Sequence, residues 1–241
     1  MKALARGRMR GKAAKVLGYF PEDSQVLVSL KNAQRDNDGR VRDGAAVALA
    51  ILGDTSESIV FASAVKDHDK GVRLAAAESL AAIKDPRQAS ALMIALQDED
   101  EEIRSTAARG LGTLAYHEAL NPLISLLKDS SGVVRESAAE ALGDLGSQEA
   151  LSSLKESLND PNLFVQIVSA ESLGKLKDST GLGTLELILN SNDMDARARA
   201  AVALGSIKDE KSKALASKTM EDANLKVRLG AAFSIFKLEK E

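Results

Sequence analysis

The 241-residue chain has no cysteine and no tryptophan, two histidines, four prolines, and aromatic residues at only 3%. Each shortage excludes something. Without cysteine there can be no disulfide, no thiolate nucleophile, no Cys-ligated zinc and no iron–sulfur cluster. Few aromatics argue against a bulky globular core, and a hydrophobic content of 44%, much of it Ala, Leu and Val, suits close-packed helices. No apolar run approaches the ~18 residues that cross a bilayer. The charged start Met1-Lys2-Ala3-Leu4-Ala5-Arg6 lacks the apolar stretch of a secretory signal. A cytoplasmic address without a membrane partner is the expectation.

Charge is plentiful but nearly balanced. Charged residues are 28% and the net charge is −3, which describes a solvated surface with no general attraction to nucleic acid. The distribution is uneven: residues 1–35 carry eight Lys/Arg against Glu22 and Asp23, a net of +6, leaving −9 for the remainder. The basic first segment is the one feature that favours nucleic acid, and the acidic, tryptophan-free body opposes it.

What is present is repetition. Val41-Arg42 recurs as Val72-Arg73, Ile103-Arg104, Val134-Arg135, Val165-Gln166, Ala196-Arg197 and Val227-Arg228, always 31 residues on. Repeats begin at Asp36, Asp67, Asp98, Asp129, Asp160, Ser191 and Asp222, side chains suited to capping a helix. An upstream copy starts near residue 4, offset by 32, with Met9-Arg10. Within a repeat, apolar residues such as Val134, Ala138, Ala139, Leu142 and Leu145 fall at helical spacing. A break follows, as at Gly53-Asp54, Lys84-Asp85-Pro86, Gly146-Ser147 and Lys177-Asp178, and then a second amphipathic stretch. Small residues recur in two Ala columns beginning at Ala45 and Ala46, and in Gly112, Gly143, Gly174 and Gly205. They predict close helix stacking.

The segment Asp129–Leu145 (DSSGVVRESAAEALGDL) resembles the HEAT-like repeats first described in phycobilin lyases, a pattern near D-x-x-x-x-V-R-x-x-A-A-x-A-L-G-x-L-G-D. The resemblance covers about residues 4–241. It implies an all-α fold, a right-handed α-solenoid of about eight 31-residue two-helix repeats forming one domain over 1–241, with the first helix of each repeat lining a concave face. No single repeat can bury its own apolar faces, so stability is a sum over stacked neighbours.

The recurrent arginines (Arg10, Arg42, Arg73, Arg104, Arg135, Arg197, Arg228) are read as structural, pairing with turn aspartates Asp54, Asp85, Asp178 and Asp209. Gln166 departs from the column and points to an altered joint between the repeats starting at Asp129 and Asp160. Catalytic, cofactor-binding and metal-binding residues are not expected. Deoxyhypusine hydroxylases, related HEAT-repeat enzymes, bind iron with His-Glu pairs just after the Val-Arg position, and no such pair stands there in this chain. His117-Glu118 falls at a turn and His68 near a helix start, both as surface residues.

Positions 5, 8, 9, 12 and 16 of the first helices are left free by the packing stripe. In the middle of the chain they give Glu78, Arg109, Glu136, Glu140, Asp144 and Glu171, an acidic strip suited to a basic segment. Farther on they turn apolar, with Phe164, Ile167 and Val168, then Val202, Leu229 and Phe233. Phe236 replaces the Gly or Ala of other repeats, so this end either docks onto a partner or a second copy, or the chain continues beyond Glu241. The function expected is a scaffold or adaptor binding a protein or peptide on the concave face. A phycobilin lyase-like subunit or chaperone handling a bilin, implied by the resemblance alone, is the alternative.

Overall fold

The computed structural model describes residues 2–19, 24–52, 64–83 and 85–240, and every regular element among them is helical. The chain forms two compact units, Met1–Tyr116 and His117–Glu241. The first holds α1 (Lys2–Leu17), α2 (Ser24–Ala33), α3 (Gly39–Ile51), α4 (Lys70–Ile83), α5 (Ala89–Ala95) and α6 (Glu101–Thr113). The second holds α7 (Leu120–Leu126), α8 (Gly132–Leu145), α9 (Leu151–Ser157), α10 (Leu163–Lys175), α11 (Leu182–Leu189), α12 (Met194–Ala203), α13 (Glu210–Thr219) and α14 (Leu225–Glu239). Among the described residues no helix is long and apolar enough to cross a membrane.

Helix follows period. The Val-Arg pair sits near the start of α3, α4, α6, α8, α10, α12 and α14, the first helices. In the first unit α1, α3, α4 and α6 stack in succession; in the second α8, α10, α12 and α14 do so, each backed by a second helix. The break at Gly53-Asp54 and the second helix expected after it lie outside the described residues, as does Lys84. Leu80, Leu111, Leu142, Leu173 and Leu204, one per period, are fully buried, each contributing roughly 1.5–3 kcal/mol against exposure. The Ala columns beside them are equally buried, with Ala232 the exposed exception. Glycine permits the closest approaches. A Cβ on Gly143 would lie 2.7 Å from Ser172 Cβ, and one on Gly174 would lie 2.5 Å from the Ser206 carbonyl oxygen, so the stacking distance itself forbids a side chain there.

The residues that open each repeat do a different job from the one expected. The helix caps stand two positions later: Asp100, Asn162, Asp193 and Asn224 each accept a hydrogen bond from the first turn of α6, α10, α12 and α14. The repeat-opening aspartates instead accept from the backbone N–H two residues on, as Asp67 does from Asp69 at 2.8 Å and Asp160 from Asn162 at 2.8 Å. That turn leaves their carboxylates aimed at the preceding repeat.

The arginine ladder is present, with these aspartates as its partners in place of the turn aspartates. Arg42 reaches Asp67 at 2.6 and 2.7 Å, Arg73 reaches Asp98 at 2.7 and 3.2 Å, and Arg135 reaches Asp160 at 2.7 and 2.9 Å. Arg197 reaches Asp222 at 3.0 Å, and the more exposed Arg10 reaches Asp36 at 2.6 Å. The same guanidinium donates to the carbonyl of its own repeat's first residue, from Arg42 to Asp36 at 2.7 Å and from Arg135 to Asp129 at 2.9 Å. One side chain thus ties two repeats to a shared turn. The expected turn partners are engaged locally: Asp85 with Arg87, Asp178 with Lys155 and Thr180, and Asp209 with the Lys211 N–H; Asp54 lies outside the described residues.

Gln166 keeps half of this device. Its amide donates to the Asp160 carbonyl at 2.6 Å, but the next repeat opens with Ser191, so the carboxylate half is gone. The altered joint therefore lies between the repeats starting at Asp160 and Ser191, not between those starting at Asp129 and Asp160, where Arg135 is fully paired. The α10–α12 contact is correspondingly less extensive than α8–α10 or α12–α14.

Two outcomes follow from the ladder. Arg73→Ala strands the largely buried Asp98 carboxylate, so urea denaturation is expected to show a loss of about 3 kcal/mol. Burial opposes ionisation of Asp67 and Asp160, but the guanidinium hydrogen bonds, the backbone N–H two residues on and the arginine charge together outweigh it and hold both carboxyls below the usual carboxylate range. Depressed folded values mean stability that is present above pH ~4 and is lost as pH falls through the lowered values. Denaturation midpoints measured downward from neutral pH should fall below that point, and the Arg42→Gln, Arg135→Gln double variant should show a shallower decline.

Candidate functional site

The candidate residues divide between the two units. Glu78 on α4 and Arg109 on α6 are exposed in the first; all others belong to the second. Position 12 of the first helices, occupied in the second unit by Glu140, Glu171, Val202 and Phe233, is at least partly open to solvent in each of these repeats. Position 9 mostly is not, because it faces the neighbouring helix at stacking distance, and position 8, partly open at Glu136, Ala198 and Leu229, is buried in this unit at Ile167. Ile167 at 1% exposure lies within a core of Leu182, Leu185, Ala196 and Ala200, and Val168 is 5% exposed. Neither is available to a partner, which corrects the apolar cluster expected around Phe164.

Phe164 itself is partly buried against that core, and its ring carries a cation. The Arg199 guanidinium stands 5.3 Å from the ring centroid and pairs with Glu136 at 2.8 Å. Arg199 comes from α12, Phe164 from α10 and Glu136 from α8, so one side chain spans three successive repeats across the joint that lacks its arginine–aspartate rung. The acidic strip is therefore not free. Asp144 pairs with Lys175 at 2.7 Å, and Lys237 donates to Ser206 Oγ at 3.0 Å, which lies 3.4 Å from Glu171. Burial disfavours the Lys175 ammonium, yet Asp144, Glu171 and Glu140 together raise its pKa above the ordinary lysine value. A basic partner would have to compete with these internal cations.

Sequence reasoning passed over Arg199, Lys175 and Lys237. Arg199 could have been found: at position 9, where the other repeats of the exact 31-residue period carry Gly, Ala, Thr, Ser or Val, it stands out as the one long side chain. The apolar side chains farther along are open, with Val202 40%, Leu229 61% and Phe233 52% exposed. Leu229 and Phe233 lie one turn apart on α14. Phe236 is also exposed and carries the Lys240 ammonium 4.2 Å from its ring centroid. His68 is exposed beside Arg42 and Asp67, and His117 is exposed in the turn before α7. Among the described residues no group of three His, Cys, Asp or Glu side chains is placed to hold a metal ion.

Residues 89–174 match the family model for HEAT repeats, and residues 72–98 match that for the PBS lyase HEAT-like repeat. The chain carries HEAT-like repeats. Solved structures share this HEAT-repeat fold. One is a chain of the complex of CpcE and CpcF of phycocyanin lyase from Nostoc sp. PCC7120, 20% identical with a TM-score of 0.61 over 88% of this chain and 94% of that one. Another is the YibA protein of Escherichia coli, 23% identical, TM-score 0.67, covering 95% of this chain and 86% of that one. A third comes from the complex of Kap95p with RanGDP, 15% identical, TM-score 0.65, covering 95% of this chain and 38% of that one. At these identities the likeness establishes the fold alone. No match is found among curated proteins.

The Arg199 clamp makes a measurable claim within these HEAT-like repeats. Arg199→Ala removes a half-exposed ion pair and a cation–π contact at the joint without a rung, so a loss of about 1 kcal/mol in urea denaturation is expected. Arg199→Lys should restore the ion pair but little of the ring contact.

Proposed function

We propose that this protein is a non-enzymatic cytoplasmic scaffold that holds a protein or peptide on the first-helix face of its second unit. The observation that carries this reading is the half-exposed trio Val202, Leu229 and Phe233 on α12 and α14, in a unit whose other first helices, α8 and α10, carry charged pairs that already satisfy one another. Apolar side chains left open on a rigid helical surface, with charged groups around them, are the make-up of a protein interface. Glu136, Glu140, Asp144 and Glu171 then act as the polar rim. The structures with this fold that come from the CpcE–CpcF and Kap95p–RanGDP complexes support a protein partner. A second copy docking through Leu229 and Phe236 is one form such a partner could take.

The test is affinity capture followed by mass spectrometry with the wild type and a Leu229→Ser, Phe233→Ser variant. Proteins retained by the wild type should be lost by the variant while its helical circular dichroism is unchanged. If every captured protein is retained, this face is not the docking surface. The phycobilin lyase-like alternative draws on the match of residues 72–98 to the PBS lyase repeat. It calls for a change in bilin absorbance on mixing, and the scaffold reading calls for none.

A further inference from the structure

A cavity lies in the second unit at the turns that end α10 and α12, one helical turn along from Val202 and Phe233 of the exposed apolar trio. It measures about 580 Å³ and is walled by Gly174, Lys175, Lys177, Asp178, Ser206, Lys208, Asp209 and Lys237, among others. The sequence period explains why it exists. Position 16 of the first helices runs Asp144, Lys175, Ser206, Lys237, and the short Ser206 between two lysines leaves the space a longer side chain would fill. Gly174 and Gly205, each one residue before, deepen it.

Four lysines and two aspartates stand in this wall, a formal net of +2, although Lys175 is itself paired with Asp144 outside it at 2.7 Å. Asp178 is also answered from elsewhere: Lys155 at 2.7 Å and Thr180 hold its carboxyl down at about 2, so its charge is already neutralised by a cation outside the wall. Asp209 is committed to the first turn of α13 through the Lys211 N–H at 2.8 Å. A lysine at the end of a helix answers the helix dipole, which accounts for Lys175 or Lys177 taken singly. Lys237 likewise stands in the last turn of its own helix, α14, but it is brought by that third helix to the same cavity and held there by Ser206 at 3.0 Å. Lys177 moreover sits at φ 64°, the left-handed backbone that Gly146 adopts one period earlier, so a lysine is kept where glycine would fit without strain.

A second cavity of about 320 Å³ shares Gly205, Lys208, Asp209 and Lys237 with the first and adds Lys213 and Glu210. Two cavities sharing walls suit an extended ligand better than a single ion. Nucleic acid fits poorly, because no aromatic side chain lines either cavity for base stacking. We infer that this lysine cleft binds an extended peptide segment bearing anionic side chains, carboxylate or phosphate, with Lys175 and Lys237 at its floor and Lys177 and Lys208 at its rim. The cleft adjoins the apolar docking face but recognises its ligand by charge.

Fluorescence anisotropy with fluorescein-labelled hexaglutamate, a phosphoserine hexapeptide and an uncharged hexaserine control tests it directly. At low ionic strength one or both anionic peptides should bind saturably and hexaserine should not; the tighter of the two identifies carboxylate or phosphate as the preferred group. The Lys177→Glu, Lys208→Glu variant should bind about tenfold more weakly or worse. Ser206→Leu leaves every charge in place but fills the cleft, and should weaken binding to a similar degree, with circular dichroism verifying the fold of each variant. The inference fails if neither anionic peptide binds, if Ser206→Leu binds as the wild type does, or if oligothymidylate binds more tightly than both peptides.

Discussion

The arginine–aspartate rung is the interaction on which the stacking of these repeats depends. A first helix touches its neighbour through alanine and glycine, which specify distance but little direction. The guanidinium supplies the direction. By bonding the carbonyl that opens its own repeat and the carboxylate that opens the next, an arginine such as Arg42 or Arg135 fixes two turns relative to one helix. The repeat-opening aspartate can serve as the partner because its own turn is closed by the N–H two residues on, which leaves a different residue to cap the helix. Three tasks, turn, cap and rung, are thereby divided among residues two to six positions apart.

Much of the fold was legible in the sequence because each of these tasks repeats. The period set the helix pairs and the Ala columns, and those columns fall in the core except at Ala232. The ladder was legible as a column of arginines but not in its partner, since two sets of aspartates recur at the same period. Only three-dimensional proximity separates the turn aspartates, bound to other partners, from the opening aspartates 25 or 26 residues beyond their arginines. The position of the altered joint was misplaced for the same reason.

The candidate site was less legible, because surface positions are defined by what fails to pack and that depends on the neighbour. Positions 8 and 9 look free on a single helix, yet Ile167 and Val168 are covered by the adjoining repeat, whereas Leu229 at the same position 8 is open. Likewise, Glu136, Glu140 and Asp144 form an acidic stripe on one helix in isolation. Lys175 and Arg199, one and two repeats away, convert that stripe into a neutralised network. The apparent charge of a repeat protein's face is a property of the stack, not of the helix that bears it.

The joint at Gln166 and Ser191 has a meaning beyond local packing. An arginine lost alone would leave a buried carboxylate, and an aspartate lost alone would leave a buried guanidinium; with both gone, neither charge is stranded. The two positions lie 25 residues apart, and their departures make sense only as a pair. In an array whose cohesion is a chain of nearest-neighbour bonds, the least cohesive link determines where the array parts under strain. The second unit thus has a built-in seam, bolted from outside by the exposed Arg199 in place of the sheltered rung.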